Sequence, residues 1–122
     1  MALTRSVALT AQEIRGLHVN AATAAYTIVA SDSGIVAFND YATDTTYTLP
    51  AVADAAGKMF WFVNGEATTK TIITAPSACI KGPQAAACTT LTSKAIGDHC
   101  VLACDGTNYF VISMGFAVWT IA

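Results

Sequence analysis

Charged side chains are scarce in this sequence. Asp, Glu, Lys and Arg make up 11% of its 122 residues, against roughly 25% in an average soluble domain. Hydrophobic residues reach 54%, and the mean hydropathy is +0.51. A small monomer normally covers its surface with charge, and this chain has too little to do so. Lipid or other protein must therefore meet part of that surface.

Long apolar runs are missing too. A membrane-spanning helix needs about 20 apolar residues in succession. The apolar blocks here are short, such as Met59–Val63, and Thr, Ser, Asn, Asp and Gly interrupt the rest. No long apolar run follows Arg5, so no secretory signal is expected. The composition points to a protein assembly, with no membrane partner. Clustered base is also lacking. Arg5, Arg15, Lys58, Lys70, Lys81 and Lys94 are scattered, and the net charge is −2. Nucleic-acid binding calls for grouped Lys and Arg, so no nucleic-acid partner is expected.

Catalytic signatures are absent as well. There is no P-loop, dinucleotide fingerprint, Gly-x-Ser-x-Gly or zincin helix. Asp98-His99-Cys100 places a histidine beside a thiol, but neighbours on a strand point to opposite faces. The acids other than Glu13 are Asp32, Asp40, Asp44, Asp54, Glu66, Asp98 and Asp105. Most fall in expected turns, where Asp bonds its own backbone. The expectation is a protein that is not an enzyme, with no cofactor and no small-molecule substrate. Trp61 and Trp119 could form a sugar platform, but core or interface packing is the more frequent use of such rings.

Four cysteines, Cys79, Cys88, Cys100 and Cys104, are present. Four residues of strand span about 13 Å, too far for Cys100 and Cys104 to share a metal ion or a disulfide, whose Cα atoms lie within about 7 Å. Cys79 and Cys88 could pair across the Gly82-Pro83 loop. Free buried thiols, acting as small hydrophobes, are the first expectation, a single disulfide the second and metal the third.

The length allows one domain, and folding at this size hides about two-thirds of the unfolded surface. Residues 1–20 read as an N-terminal arm and residues 21–122 as a single β domain. In the arm, Thr10-Ala-Gln-Glu13 is a capping-box pattern, flanked by Leu9 and Ile14 at the staple positions. Gly16 suits a helix stop. The resulting helix of about one and a half turns is too short to stand alone. It would gain order by docking on something else, or the terminus would fold back on its own sheet.

From Tyr26 onward, β-branched and aromatic residues rise and turn residues recur. Strands are expected at Tyr26–Ala30, Ile35–Phe38, Thr45–Leu49, Lys58–Val63, Lys70–Thr74, Cys79–Lys81, Cys88–Thr92, His99–Cys104, Tyr109–Met114 and Phe116–Ile121. Asn64-Gly65 and Asp105-Gly-Thr-Asn108 read as hairpin turns. Ala51–Gly57 reads as a loop or one helical turn. The pattern is all-β: an antiparallel β-sandwich or jelly-roll with a short N-terminal helical arm. Several strands are apolar on both faces. Met59, Trp61 and Val63 point one way and Phe60 and Phe62 the other, so both faces need cover.

One group of segments forms a recognisable grammar: Thr46-Tyr-Thr-Leu-Pro50, Phe60-Trp-Phe-Val-Asn64, Lys70-Thr-Ile-Ile-Thr74, Ile80-Lys-Gly82, Leu91, Gly97-Asp98 and Asp105-Gly-Thr-Asn-Tyr109. Over residues 45–114 it resembles a β module of tailed-bacteriophage virion proteins. That module occurs in head decoration (cement) proteins and in tail-fibre or spike modules. The short chain with an N-terminal arm looks most like a decoration protein. The resemblance implies a virion structural protein, a homotrimer bound outside a shell of major capsid protein. Subunit contacts are then expected at Met59, Trp61, Val63, Phe116, Val118 and Trp119, and capsid contacts at Leu3, Arg5, Leu9, Ile14 and Leu17. A fibre or receptor-binding module and a ring-forming head–tail subunit are the close rivals. A cellular enzyme or carbohydrate-binding domain ranks last.

Overall fold

The computed structural model describes residues 15–82, 85–115 and 119–122. Among the described residues twelve strands are formed: β1 (Gly16–Asn20), β2 (Ala25–Thr27), β3 (Ile35–Asn39), β4 (Thr45–Thr48), β5 (Met59–Asn64), β6 (Thr71–Thr74), β7 (Ile80–Gly82), β8 (Ala85–Cys88), β9 (Thr90–Thr92), β10 (His99–Cys104), β11 (Tyr109–Gly115) and β12 (Thr120–Ile121). Single 3-10 turns at Ala30–Asp32 and Val52–Asp54 complete the regular structure, with no α-helix among the described residues. The protein is all-β, as its turn spacing and strand composition indicate.

The strands form two sheets. Sheet A has seven strands in the order β1-β3-β5-β10-β11-β7-β8, and sheet B has five in the order β12-β9-β6-β4-β2. Inward side chains from both meet in one core, including Phe60, Phe62 and Leu102 of sheet A and Tyr47, Ile73 and Leu91 of sheet B. All six are at most 2% exposed, and burying a side chain of this size contributes roughly 1.5–3 kcal/mol.

An antiparallel sandwich or jelly-roll does not describe how the first six strands pair. The chain alternates between sheets and returns to each in the same direction. β1, β3 and β5 are therefore mutually parallel in sheet A, and β2, β4 and β6 are parallel in sheet B. Parallel neighbours need a long crossover. Here the crossover is a strand of the opposite sheet, which gives a solenoid-like stack of coils. After β6 most pairing is antiparallel, through β7–β8, β5–β10–β11 and β6–β9–β12, while β7 and β11 pair in parallel.

Two turn expectations divide accordingly. Asp105–Asn108 does join the antiparallel pair β10 and β11. Gly106 there adopts φ 93°, and the Asp105 carboxylate accepts from the N–H groups of Thr107 and Asn108, each at 2.8 Å. Asn64-Gly65 is no hairpin. It carries the chain from sheet A to sheet B, because β5 and β6 lie in different sheets. Gly65 is needed for close approach instead. A Cβ on it would stand 2.3 Å from the Phe38 ring and 2.8 Å from the Asn39 carbonyl.

The corner between the sheets is polar and buried. Asn20, Asn39 and Asn64 end β1, β3 and β5 in register, and none is more than 3% exposed. Asn20 Nδ2 donates to Asn39 Oδ1 at 3.2 Å. Asn39 Nδ2 donates to Thr71 Oγ1, and Thr71 Oγ1 donates to Asn64 Oδ1, each at 3.0 Å. The same amides satisfy the turning backbone. Asn64 Nδ2 reaches the Glu66 and Ala95 carbonyls, each at 3.0 Å. Asn20 Oδ1 accepts from the Thr23 N–H at 3.2 Å. A corner without such partners would leave buried backbone groups unpaired.

Residues 16–20, expected in the arm, form β1 and pair with β3. The helix expected from Thr10 lies mostly outside the described residues, and its expected stop, Gly16, opens β1.

Candidate functional site: the outer face of sheet A

Alternation along a strand sends every second side chain away from the core. In sheet A those outward positions align across four strands. One rung is Leu17, Val36, Trp61 and Val101, and the next is Val19, Phe38, Val63 and His99. Met59 stands opposite Ala103 on the same face. Neither rung contains Asp, Glu, Lys or Arg. His99 is the sole titratable member.

Exposure follows position in the sheet. β1 is the edge strand, so Leu17 and Val19 have a neighbour on one side alone and are 63% and 49% exposed. Val36, Phe38, Met59, Trp61 and Val63 are half-buried by lateral contacts. Val101, between two neighbouring strands, is 6% exposed. Two aromatic rings on this face are seated on glycines. Phe38 lies against Gly65, and the His99 imidazole lies so near Gly115 that a Cβ there would fall 2.1 Å from the ring. A side chain at either glycine would meet the ring.

Met59, Trp61 and Val63 point outward together on this face, with Phe60 and Phe62 in the core behind them. Leu17 joins them, placed there by β1. Trp119 does not. It is 2% exposed, and its indole Nε1 donates to the His99 carbonyl at 3.0 Å. It is a core residue, with its one polar atom satisfied on the backbone of β10. Phe116, Val118, Leu3, Arg5, Leu9 and Ile14 lie outside the described residues. Sequence reasoning misses Val19, Val36 and Phe38. Their signal is the same alternation that marks β5, but Gly16–Asn20 reads as part of an arm.

Cys79, Cys88, Cys100 and Cys104 are free and buried. Burial pushes the Cys100 thiol up to about 12 and raises Cys88 and Cys104 as well, so these three are not poised as thiolates. Cys88 instead donates its S–H to the Ile80 carbonyl at 3.2 Å. His99 and Cys100 point to opposite faces, His99 outward and Cys100 into the core. Among the described residues no group of His, Cys, Asp and Glu is arranged to hold a metal ion.

Between the sheets, a ring series runs through the first coils. His18 and Tyr26 are 4.9 Å apart, Tyr26 and Tyr47 5.8 Å, and Tyr47 and Phe62 5.4 Å. A pocket of about 260 Å³, part of it open solvent, lies beside His18, Tyr26, Asp32 and Phe62. No helix among the described residues is long and apolar enough to cross a membrane. What the outer face can do chemically is bury itself against another apolar surface. No known protein-family model matches this chain, and no curated protein is significantly similar to it.

Proposed function

We propose that this chain is a virion structural protein of the decoration, or cement, type. In this reading it assembles as a homotrimer on the outside of a shell of major capsid protein and stabilises that shell. One observation carries the reading: two successive rungs of sheet A, Leu17–Val36–Trp61–Val101 and Val19–Phe38–Val63–His99, present a largely apolar face without Asp, Glu, Lys or Arg away from the core. An apolar sheet face of this kind marks a protein contact. The low charge of the whole chain agrees.

A cement needs contact area and no chemistry. Three copies of one weak contact, held in a trimer, gain affinity for a repetitive shell through avidity. The two sheets closed on one core form a stiff sandwich for that task, with the short helix from Thr10 as part of the docking arm. The second reading, a tail-fibre or spike module, draws support from the stacked parallel coils of β1 to β6, a geometry that extends readily along an axis.

The test is co-sedimentation of purified protein with mature shells that lack it. Saturable binding at local threefold sites, with a raised shell disruption temperature, is the expected result. No binding to any shell, together with affinity for a cell-surface glycan, would replace cement by the fibre reading.

A further inference from the structure

We infer that the open edge of β1 is a docking site for one extended strand of a partner chain, which joins sheet A by backbone hydrogen bonds. This rests on the decoration reading above and assigns the added strand to the shell protein.

Among the described residues the two sheets end in four edge strands, β1 and β8 in sheet A and β12 and β2 in sheet B. An edge presents N–H and C=O groups to any passing strand, and proteins blunt their edges with bulges, short strands or polar side chains. Three of the four are blunted. β8 meets β7 with a register shift between Ile80 and Gly82. β12 is 2 residues long. On β2 the Thr23 hydroxyl donates to the Ala25 carbonyl at 3.0 Å and accepts from the Ala25 N–H at 3.3 Å, so a side chain already engages that edge. β1 has none of these devices. It runs 5 residues, without Pro or charge, in unbroken register with β3.

The register shows which groups face outward. Asn20 is the partner of Asn39, and its carbonyl accepts from the Asp40 N–H at 2.9 Å. In a parallel ladder this turns the N–H and C=O of Asn20 towards β3, and by alternation those of His18 too. Leu17 and Val19 therefore turn theirs to the open edge. An extended backbone about 4.8 Å away meets these donors and acceptors together.

The side chains suit the same occupant. Leu17 and Val19 are the most exposed members of the two rungs. On the inner side, the His18 ring lies 4.9 Å from Tyr26, beside the pocket between the two edge strands. A strand with apolar side chains on both faces would extend the rungs on one side and cover His18 and the pocket on the other. With no charge on β1 to match, the strand is itself uncharged. A second copy fits less well. Pairing β1 with its own counterpart would also bring together the β2 edges, which Thr23 engages.

Hydrogen exchange and co-sedimentation with shells that lack the protein test this on the full chain. The Leu17 and Val19 amides should exchange about tenfold more slowly in shell-bound than in free protein. Val19→Pro deletes an outward N–H and leaves the β1–β3 bonds in place. It should weaken shell binding about tenfold, whereas Val19→Ala, which trims the side chain and keeps the N–H, should cost less than about threefold. Unaltered binding by Val19→Pro, with exchange at β1 unchanged by the shell, overturns the docking edge and leaves the decoration reading standing. Equal losses from the two variants place the contact on the outer face and overturn it as well. Slow exchange of both amides in free protein means that the edge is already filled, by a second copy or by the same chain, and has the same consequence. If circular dichroism shows that Val19→Pro does not fold, exchange on the native chain decides. A native chain that binds no shell overturns both.

Discussion

Asn39 donates its side-chain amide to the hydroxyl of Thr71, 3.0 Å away and 32 residues later in the chain. The bond links the end of a sheet A strand to the start of a sheet B strand, inside a corner that water does not reach. Asn39 also accepts from Asn20 and from the Tyr41 N–H. Asn39→Ala therefore removes three hydrogen bonds, two of them to the buried Asn20 and Thr71 side chains, and each such bond contributes roughly 0.5–1.5 kcal/mol. A loss of about 3 kcal/mol is expected, lowering the melting temperature by about 10 °C at this size. Thermal unfolding by circular dichroism reads it, and an unchanged midpoint would show that the ladder carries no stability.

Gly65 and Phe38 form a coupled pair. A methyl at Gly65 would meet the Phe38 ring at 2.3 Å and the Asn39 carbonyl at 2.8 Å. Gly65→Ala should destabilise by about 2–3 kcal/mol, as overpacking does. Phe38→Ala in the same chain should recover part of that loss, because the ring clash is removed while the carbonyl clash stays. Denaturant titration of the double-mutant cycle checks the coupling; strict additivity would mean that the ring is not seated on the glycine.

Tyr47 is fully buried, and its hydroxyl makes no hydrogen bond among the described residues. Burial pushes its pKa up to about 12, with the Asn20 side chain pulling the other way. That pull shows Asn20 to be near, but the Asn20 amide is already engaged by Asn39 and the Thr23 backbone. Removing an unpaired buried hydroxyl is neutral or favourable. Tyr47→Phe should leave stability unchanged or raise it by about 1 kcal/mol. A drop of that size would mean the hydroxyl has a partner, such as a buried water.

Alkaline pH should unfold the protein through its buried thiols. Cys100 titrates near 9.0 when exposed and at about 12 when folded, because burial disfavours the thiolate. Between those values the unfolded chain holds fewer protons than the folded one. Stability is therefore intact below pH 9 and falls as pH rises towards 12. The slope approaches about 1.4 kcal/mol per pH unit for each such group. Tyr47 adds to the fall above pH 10. Cys100→Ala should flatten the decline of melting temperature between pH 9 and 11. An equal slope in the variant would assign the alkaline loss elsewhere.

Strand positions are legible in the sequence because alternation and turn residues are local signals. His99–Cys104 matches β10 end for end, and the two-faced pattern of Met59–Val63 by itself separates Phe60 and Phe62 from Trp61. Strand pairing is not legible. The coils share little beyond Asn20, Asn39 and Asn64 and a strand ending in Thr after each, and their spacing is unequal. Asn64-Gly65 carries the composition of a hairpin turn but answers to Phe38, a residue far away in sequence. Trp119 resembles Trp61 in type, and only the carbonyl of His99 decides that it faces inward. Gly16–Asn20 is hidden because β1 is a short edge strand with exposed Leu17 and Val19, so its burial pattern is weak.

Cover of the outer face of sheet A by another subunit is the contact on which the proposed assembly depends. Size-exclusion chromatography with light scattering on the native chain and on Trp61→Lys tests it most directly. Trp61 points away from the core, so the charge should leave the fold and its circular dichroism intact while disrupting the contact. A compact trimer is predicted for the native chain and a folded monomer for the variant. A native chain that stays monomeric at high concentration, with the face open to water, would contradict this assembly.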